Sequence, residues 1–202
     1  MFLADDWQDY ELLDAGRGEK LERWGDVILR RPDSQAVWPM ISEDKRWGQA
    51  HARFRRDQTG SGSWEFFCKL PQEWKISYQN LTFHVKPMNF KHTGLFPEQA
   101  VNWKWMIDLI KGCNRPVRVL NLFAYTGGAT VAAAFAGAEE VCHVDSSKGM
   151  VTWAKENIQF SGLSHRKVRF IVDDVIKFVQ REVRRGRQYD GIIMDPPSFG
   201  RG

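Results

Sequence analysis

The stretch Val117-Arg-Val-Leu-Asn-Leu-Phe-Ala-Tyr-Thr-Gly-Gly-Ala-Thr130 restricts the possible folds of this chain more than any other. Val117, Val119, Leu120 and Leu122 form an apolar run of strand length. Thr126-Gly127-Gly128 makes a tight turn, and Ala129 to Ala136 opens a compact helix. A buried strand that stops at glycine and restarts as a helix belongs to a parallel sheet with helical crossovers. Such a sheet opens a nucleotide-type pocket at the carboxyl ends of its strands.

The flanking sequence repeats that alternation. A helix is predicted over 98–111, with Pro97 at its first turn, Gly112 as its stop and Val101, Trp105 and Leu109 along one face. The first strand covers 117–123. The second, 141–144, ends at Asp145, after which Ser146 or Ser147 caps a helix with Val151, Ala154 and Ile158 inward. The third, 168–172, leads to Asp173 or Asp174 as the cap of a helix whose Val175, Val179 and Val183 share a face. The fourth, 189–194, runs into Asp195-Pro196-Pro197. Strands separated by helices require right-handed crossovers in one sheet. The expected fold is therefore α/β, a Rossmann-like parallel sheet with four strands in this chain. A small β-rich domain over 1–90 precedes this domain of 91–202.

Residues 1–90 hold six of the nine tryptophans, namely Trp7, Trp24, Trp38, Trp47, Trp64 and Trp74. Strand-like runs lie over 26–30, 64–70, 75–78 and 81–85. Trp64, Phe66 and Cys68, and again Leu81, Phe83 and Val85, alternate with more polar neighbours, which suits antiparallel sheet with one wet face. In a small domain such indoles form core more readily than a base-stacking platform. The net charge of +4 permits a polyanionic partner without requiring one. Three cysteines without a CxxC pair exclude a disulfide framework and a zinc ribbon, and no metal is expected. The start of the chain is acidic where a signal peptide is basic, and no apolar run approaches the ~18 residues of a membrane span. The expectation is a cytoplasmic protein without a membrane partner.

Three of these strands end in carboxylates, at Asp145, at Asp173 and Asp174, and at Asp195. Asp145, after the second strand, suits a carboxylate accepting two ribose hydroxyls, and equally suits a helix cap. A dinucleotide requires G-x-G-x-x-G for its pyrophosphate, and Phe123-Ala-Tyr-Thr-Gly-Gly128 lacks it. S-adenosyl-L-methionine has no phosphate and needs only close passage of backbone, which Gly127 and Gly128 allow. Phe123 and Tyr125 suit its walls, with Phe123 equally suited to core beneath the turn. Asp195-Pro196-Pro197 fixes the backbone twice after a buried strand. A carboxylate beside a rigid carbonyl then forms a paired acceptor for the amine of a planar base, on which Phe199 could stack.

Asn121-Leu-Phe-Ala-Tyr-Thr-Gly-Gly128, Val144-Asp145-Ser146, Val172-Asp-Asp-Val175 and Met194-Asp-Pro-Pro197 resemble the ordered motifs of class I S-adenosylmethionine-dependent methyltransferases. Within that class they are similar to the bacterial large-subunit ribosomal RNA methyltransferases of the cytosine-C5 and guanine-N2 types. His92-Thr-Gly-Leu-Phe96 with Gln99 is similar to the element this family places before its first strand, beside the donor. Ala100 stands where the family usually has arginine. The resemblance implies cofactor contacts at Gly94, Phe96, Gln99 and Asn121. It implies a methionine-side wall of Phe123, Tyr125, Thr126 and Gly127, ribose contacts at Asp145 with Ser146, and adenine contacts at Asp173 and Asp174. Asp195 and Pro196 would face donor and acceptor together, with Pro197 and Phe199 on the substrate. The family fold has seven strands and this chain supplies four, so a C-terminally truncated chain is expected.

Methyl transfer from a sulfonium is an in-line displacement that depends on alignment. An exocyclic amine acceptor needs its hydrogens held, as Asp195 and the Pro196 carbonyl could do. A cytosine C5 acceptor needs a thiolate added first, and Cys68, Cys113 and Cys142 are poorly placed for it. In the C5-type relatives the nucleophile lies downstream of the Asp-Pro-Pro element. The expected partner is RNA, most simply ribosomal RNA. Lys45, Arg46, Arg53, Arg55 and Arg56, and separately Arg181, Arg184, Arg185 and Arg187, could meet phosphates or form solvated faces. The alternatives are an NAD-dependent oxidoreductase and a non-catalytic RNA-binding protein with a degenerate pocket.

Overall fold

A computed structural model of the chain describes residues 3–39, 45–57 and 61–197. Phe199 lies outside the described residues. The chain divides into two compact units, Asp5–Gln79 with His84–Leu95, and Asn80–Phe83 with Phe96–Gly202 and the first residues of the chain.

The first unit carries a five-stranded sheet of β1 (Tyr10–Gly16), β2 (Glu19–Trp24), β3 (Val27–Pro32), β4 (Ala52–Arg56) and β5 (Gly62–Phe66), side by side in that order. The β1–β2 hairpin turns through Arg17 and Gly18, both at positive φ, a turn whose twist matches the strands it joins. β3 and β4 are parallel, and the other neighbours are antiparallel. β6 (Trp74–Tyr78) and β7 (Leu81–Val85) form a two-stranded sheet.

Trp24, Leu29, Ala52 and Phe54 are buried. Among them sits a buried ion pair, in which Arg31 donates to Glu22 at 2.5 and 2.7 Å and stacks its guanidinium 5.1 Å from the Trp24 ring centroid. The indoles serve packing and local hydrogen bonding. Trp7 and Trp24 are buried, while Trp38, Trp47, Trp64 and Trp74 donate their N–H to the Ala15 carbonyl, the Asp14 carboxylate, and the Met88 and Trp24 carbonyls. β1, β2 and β4 were not anticipated from the sequence. A register shift between Leu12 and Asp14 breaks the alternation of β1, and buried Glu22 breaks that of β2. β5 stops at Phe66, so Phe66 and Cys68 are exposed rather than inward.

The second unit is the parallel sheet. Its strands are β8 (Arg118–Leu122), β9 (Glu140–Asp145), β10 (Val168–Val172) and β11 (Gly191–Met194), ordered β10-β9-β8-β11. The helices are α1 (Ala100–Gly112), α2 (Gly128–Ala136), α3 (Lys148–Phe160) and α4 (Val175–Arg184), and a 3-10 turn, Pro97–Gln99, leads into α1. α2 is apolar on nearly all sides and correspondingly buried, and it stops at Gly137 at φ 95°. Leu120, Leu122, Cys142 and Val144 of the sheet pack with Val175 and Phe178 of α4.

Two helix faces differ from expectation. On α1 the buried positions are Ala100, Trp103 and Ile107, while Trp105 and Leu109 are exposed. Both stripes have helical spacing, and packing against α2 selects between them. On α4, Val175, Phe178 and Glu182 are buried and Val183 is exposed, because Glu182 turns inward to accept from Tyr189 and pair with Arg169. Ile192 and Met194 of the outer strand β11 are exposed together on one face of the sheet.

Glu140, 1% exposed at the start of β9, meets Lys167 at 2.7 Å and also pairs with Arg187 and Arg169. Burial alone would raise its pKa, but hydrogen bonds from Lys167 and Arg187 bring it down to about 2. A carboxylate depressed in the folded state contributes stability that is complete above its unfolded pKa, here the ordinary 4.5, and is lost as the pH falls toward 2. The shift corresponds to about 3–4 kcal/mol at most. Urea unfolding of Glu140→Gln should therefore show a large deficit against wild type at pH 7 that narrows progressively below pH ~4.5. A deficit independent of pH would remove Glu140 as its source.

Candidate functional site

The strand register brings the predicted residues to one edge of the sheet. Leu122 pairs with Val144, Met194 with Leu122, and Val172 with Asp145. Phe123, Asp145 and Asp195 therefore stand level, and Asp173 follows one residue beyond Val172. β8 has β9 on one side and β11 on the other, so the strand order reverses there. Open α/β sheets bind ligands outside the carboxyl ends of the strands at such a reversal.

The turn after β8 is strained. Phe123 lies at φ 52°, Tyr125 at 50° and Gly127 at 84°. Left-handed backbone costs a residue with a side chain roughly 1–2 kcal/mol, so other contacts must hold the first two. Ala124 N–H donates to the Val144 carbonyl at 3.0 Å, and Gly127 N–H to the Ala124 carbonyl at 3.0 Å. Tyr125 N–H donates to Asp145 Oδ2 at 2.9 Å. From α3, the buried Asn157 amide donates to the Thr126 carbonyl at 2.9 Å.

Asp145 is the centre of this arrangement. Its second oxygen, Oδ1, accepts from Ser147 N–H at 2.8 Å. One carboxylate thus fixes the turn after β8 and the turn after β9. A carboxylate offers about four acceptor sites, so two amides leave room for two further donors such as vicinal hydroxyls. Of the two serines proposed as caps, Ser147 is the one used, accepting from Met150 N–H at 3.4 Å, and Ser146 is exposed beside it.

A buried polar chain lies behind the turn. Asn121 donates to Thr130 Oγ1 at 2.9 Å, and Thr130 Oγ1 lies 2.9 Å from His143 Nδ1. All three are buried, and burial pushes the His143 pKa down to about 3, so the ring is neutral at physiological pH. The chain links β8, α2 and β9. Asn121, a predicted cofactor contact, directs its amide into this chain. Thr130, His143 and Asn157 were not singled out from the sequence. Their signal was polarity inside apolar runs, since Asn157 sits between the inward Ala154 and Ile158.

The other predicted residues are placed as follows. Phe96 approaches Tyr125, ring centroids 5.5 Å apart. Gln99 closes the 3-10 turn, and its carboxamide oxygen accepts from Asn102 at 2.8 Å. Thr126 and Gly127 are buried within the turn. Asp173 pairs with Arg181, while Asp174 caps α4, accepting from Lys177 N–H at 2.9 Å. Asp195, Pro196 and Pro197 are exposed past the end of β11. Gly94, at φ 96°, belongs to the first unit. A separate groove of about 600 Å³ lies at the opposite ends of the strands, lined by Pro116, Arg118, Glu139, Gln188, Tyr189 and Asp190, and includes none of these residues.

A reversed strand order, a glycine turn without a pyrophosphate loop and a carboxylate at the end of the next strand define a nucleoside-binding α/β protein. The chain belongs to the S-adenosylmethionine-dependent methyltransferase family, whose model matches residues 29–202. The solved S-adenosylmethionine-dependent methyltransferase of Agrobacterium tumefaciens superposes with a TM-score of 0.91 at 45% identity, covering 98% of this chain and 62% of that one. Ribosomal RNA large subunit methyltransferase K/L of Shewanella frigidimarina is 32% identical over 88% of this chain and 23% of its own length. Ribosomal RNA large subunit methyltransferase K of Neisseria meningitidis serogroup B is 33% identical over 75% of this chain and 42% of its own. The chain thus spans less than half the length of these curated relatives.

Gly127 is required twice over. Its φ favours glycine, and a Cβ there would stand 2.8 Å from the Ala154 Cβ. Gly127→Ala should cost roughly 2–4 kcal/mol, combining left-handed strain and overpacking. Adding Ala154→Gly should recover part of the overpacking, less the roughly 1 kcal/mol that glycine costs inside α3. Chemical denaturation of Gly127→Ala, Ala154→Gly and the double variant checks this, and an unchanged midpoint in Gly127→Ala would refute both contributions.

Proposed function

We propose that this chain forms the methyl-donor-binding part of an enzyme that methylates a base of large-subunit ribosomal RNA in the cytoplasm. The observation that carries the reading is Asp145, preset by two amides at the reversal of strand order with acceptor sites to spare. S-adenosyl-L-methionine supplies an electrophilic methyl on a sulfonium. The residues present suit it: the turn after β8 holds its backbone at the strand end beside Asp145, and its sequence carries no G-x-G-x-x-G.

In this reading Asp145, with Ser146 beside it, holds the ribose. Phe123, Tyr125, Thr126 and Gly127 form the methionine side, with Phe96 against Tyr125. Asp173 and Asp174 serve the adenine end, and Gln99 and Asn121 support the donor from the side of β8. Asp195 and the Pro196 carbonyl accept the hydrogens of an acceptor amine so that its lone pair faces the methyl, and Pro197 and Phe199 contact the base. A base in structured RNA must leave its stack to reach this edge.

The cysteines here do not support C5 chemistry by this chain alone. Cys142 is buried in β9 with its thiol pKa raised by burial, Cys113 is exposed at the end of α1, and Cys68 is exposed in the first unit. Exocyclic-amine transfer fits the groups at Asp195 and Pro196 more directly. The RNA partner is supported by the names of the relatives. Among the described residues no helix is long and apolar enough to cross a membrane, and no cluster of metal-ligating side chains occurs.

Isothermal titration should show S-adenosyl-L-methionine binding and no binding of NAD. Each lost charge-assisted hydrogen bond is worth about 1.5–3 kcal/mol, so Asp145→Ala should weaken donor binding at least ~10-fold. Circular dichroism would verify that the variant is folded. Binding of NAD in place of the donor, or of neither, would defeat the reading.

A further inference from the structure

We propose that Lys20, Arg56 and Lys91, with His92 among them and the buried Arg31–Glu22 pair behind, form a recess in the first unit that binds a backbone phosphate of RNA. The proposal rests on the RNA reading above and adds to it the surface that makes contact.

The first observation is a like-charge pair. Lys20 on β2 stands directly across from Arg31 on β3. Like charges directly opposite destabilise a sheet unless a counter-charge joins them. Both lean on one carboxylate: Glu22 takes Arg31 at 2.5 Å and Lys20 at 3.3 Å. The second observation is the company they keep. Register puts Leu29 beside Ala52, so Arg31 and Arg56 fall on the same face of β3 and β4. Lys91 closes the rim, its ammonium donating to the Pro32 carbonyl at 3.4 Å and its own carbonyl accepting from Arg31 at 3.0 Å. Asp33 stands 3.8 Å from Lys20, and Asp57 follows Arg56 in the chain just past the end of β4.

The third observation is that these groups feel one another. Lys91 is held below the ordinary lysine range by burial and then by the charge of Arg56. His92 is pushed down to about 4 by burial, then by Arg31, Lys91 and Lys20. A half-buried site that discourages its own protonation is one that a phosphate would relieve. Phosphate binding by such cations releases counterions and carries a salt dependence proportional to their number.

The test uses the full chain and a fluorescein-labelled single-stranded RNA oligonucleotide of mixed sequence, followed by anisotropy across a potassium chloride series. Lys91→Gln and Arg56→Gln leave the Glu22–Arg31 pair intact. Each should weaken binding about 3- to 10-fold and flatten the slope of log affinity against log salt by about 0.7. Lys69→Gln, on the same unit, should change affinity less than about 2-fold. Unchanged affinity and slope in the double variant, with the wild-type chain still binding RNA, would overturn the recess and leave the RNA reading standing. No RNA binding by the wild-type chain that still binds S-adenosyl-L-methionine would overturn both the recess and the RNA partner. Displacement of the RNA by inorganic phosphate at equal affinity would overturn the RNA assignment and give the site to free phosphate.

Discussion

Asp145 accepts one amide from the turn after β8 and one from the turn after β9, and the geometry of the strand ends depends on it. Tyr125 adopts a left-handed conformation that a residue with a side chain resists, and its N–H is the donor Asp145 captures. The strain of the turn and the orientation of the carboxylate are therefore one feature. Removing the carboxylate frees the turn, and relaxing the turn frees the carboxylate. Strain held by a surrounding network is characteristic of sites where geometry matters for function.

The second level of support is buried and polar. The Asn121–Thr130–His143 chain and the Asn157–Thr126 bond hold the two helices flanking the turn to β8 and β9. Each donor or acceptor so placed would carry a desolvation cost if left unpaired. The partners therefore specify one arrangement of α2 and α3 where apolar packing would tolerate several. Gly127 adds a steric condition, since α3 sits close enough to exclude any side chain there. Together these contacts bring backbone close to the space beyond Asp145.

Legibility in the sequence follows the kind of interaction that decides each element. The parallel sheet was readable because its strands are short apolar runs punctuated by glycine and aspartate, and β10 falls on the residues expected, Val168–Val172. The placing of Asp145, Asp173 and Asp195 at strand ends was readable because short apolar runs stop at them. The first unit was harder. β2 and β4 carry charges in most places, and one of those charges, Glu22, lies in the core paired with Arg31. A buried ion pair removes the alternation on which strand recognition depends. Trp105 and Leu109 failed for another reason: α1 has two plausible apolar stripes, and the choice belongs to α2.

Asn121 shows how structure refines a motif. Its place in Asn121-Leu-Phe-Ala-Tyr-Thr-Gly-Gly128 suggested contact with a ligand, yet its amide is spent on Thr130 inside the protein. A residue in a ligand-binding motif can serve by holding the backbone that touches the ligand. The same logic applies to Asp174, whose carboxylate caps α4 and so sets the direction in which any remaining acceptor site points. Asp145 differs from the other carboxylates at this edge in being fixed by amides from two turns: Asp173 is engaged by Arg181, Asp174 holds one amide of α4, and Asp195 stands exposed beyond β11, level with Phe123. An ordered carboxylate between two fixed turns can recognise a ribose. A carboxylate on an open strand end, followed by two prolines, is better suited to a group that must enter and leave.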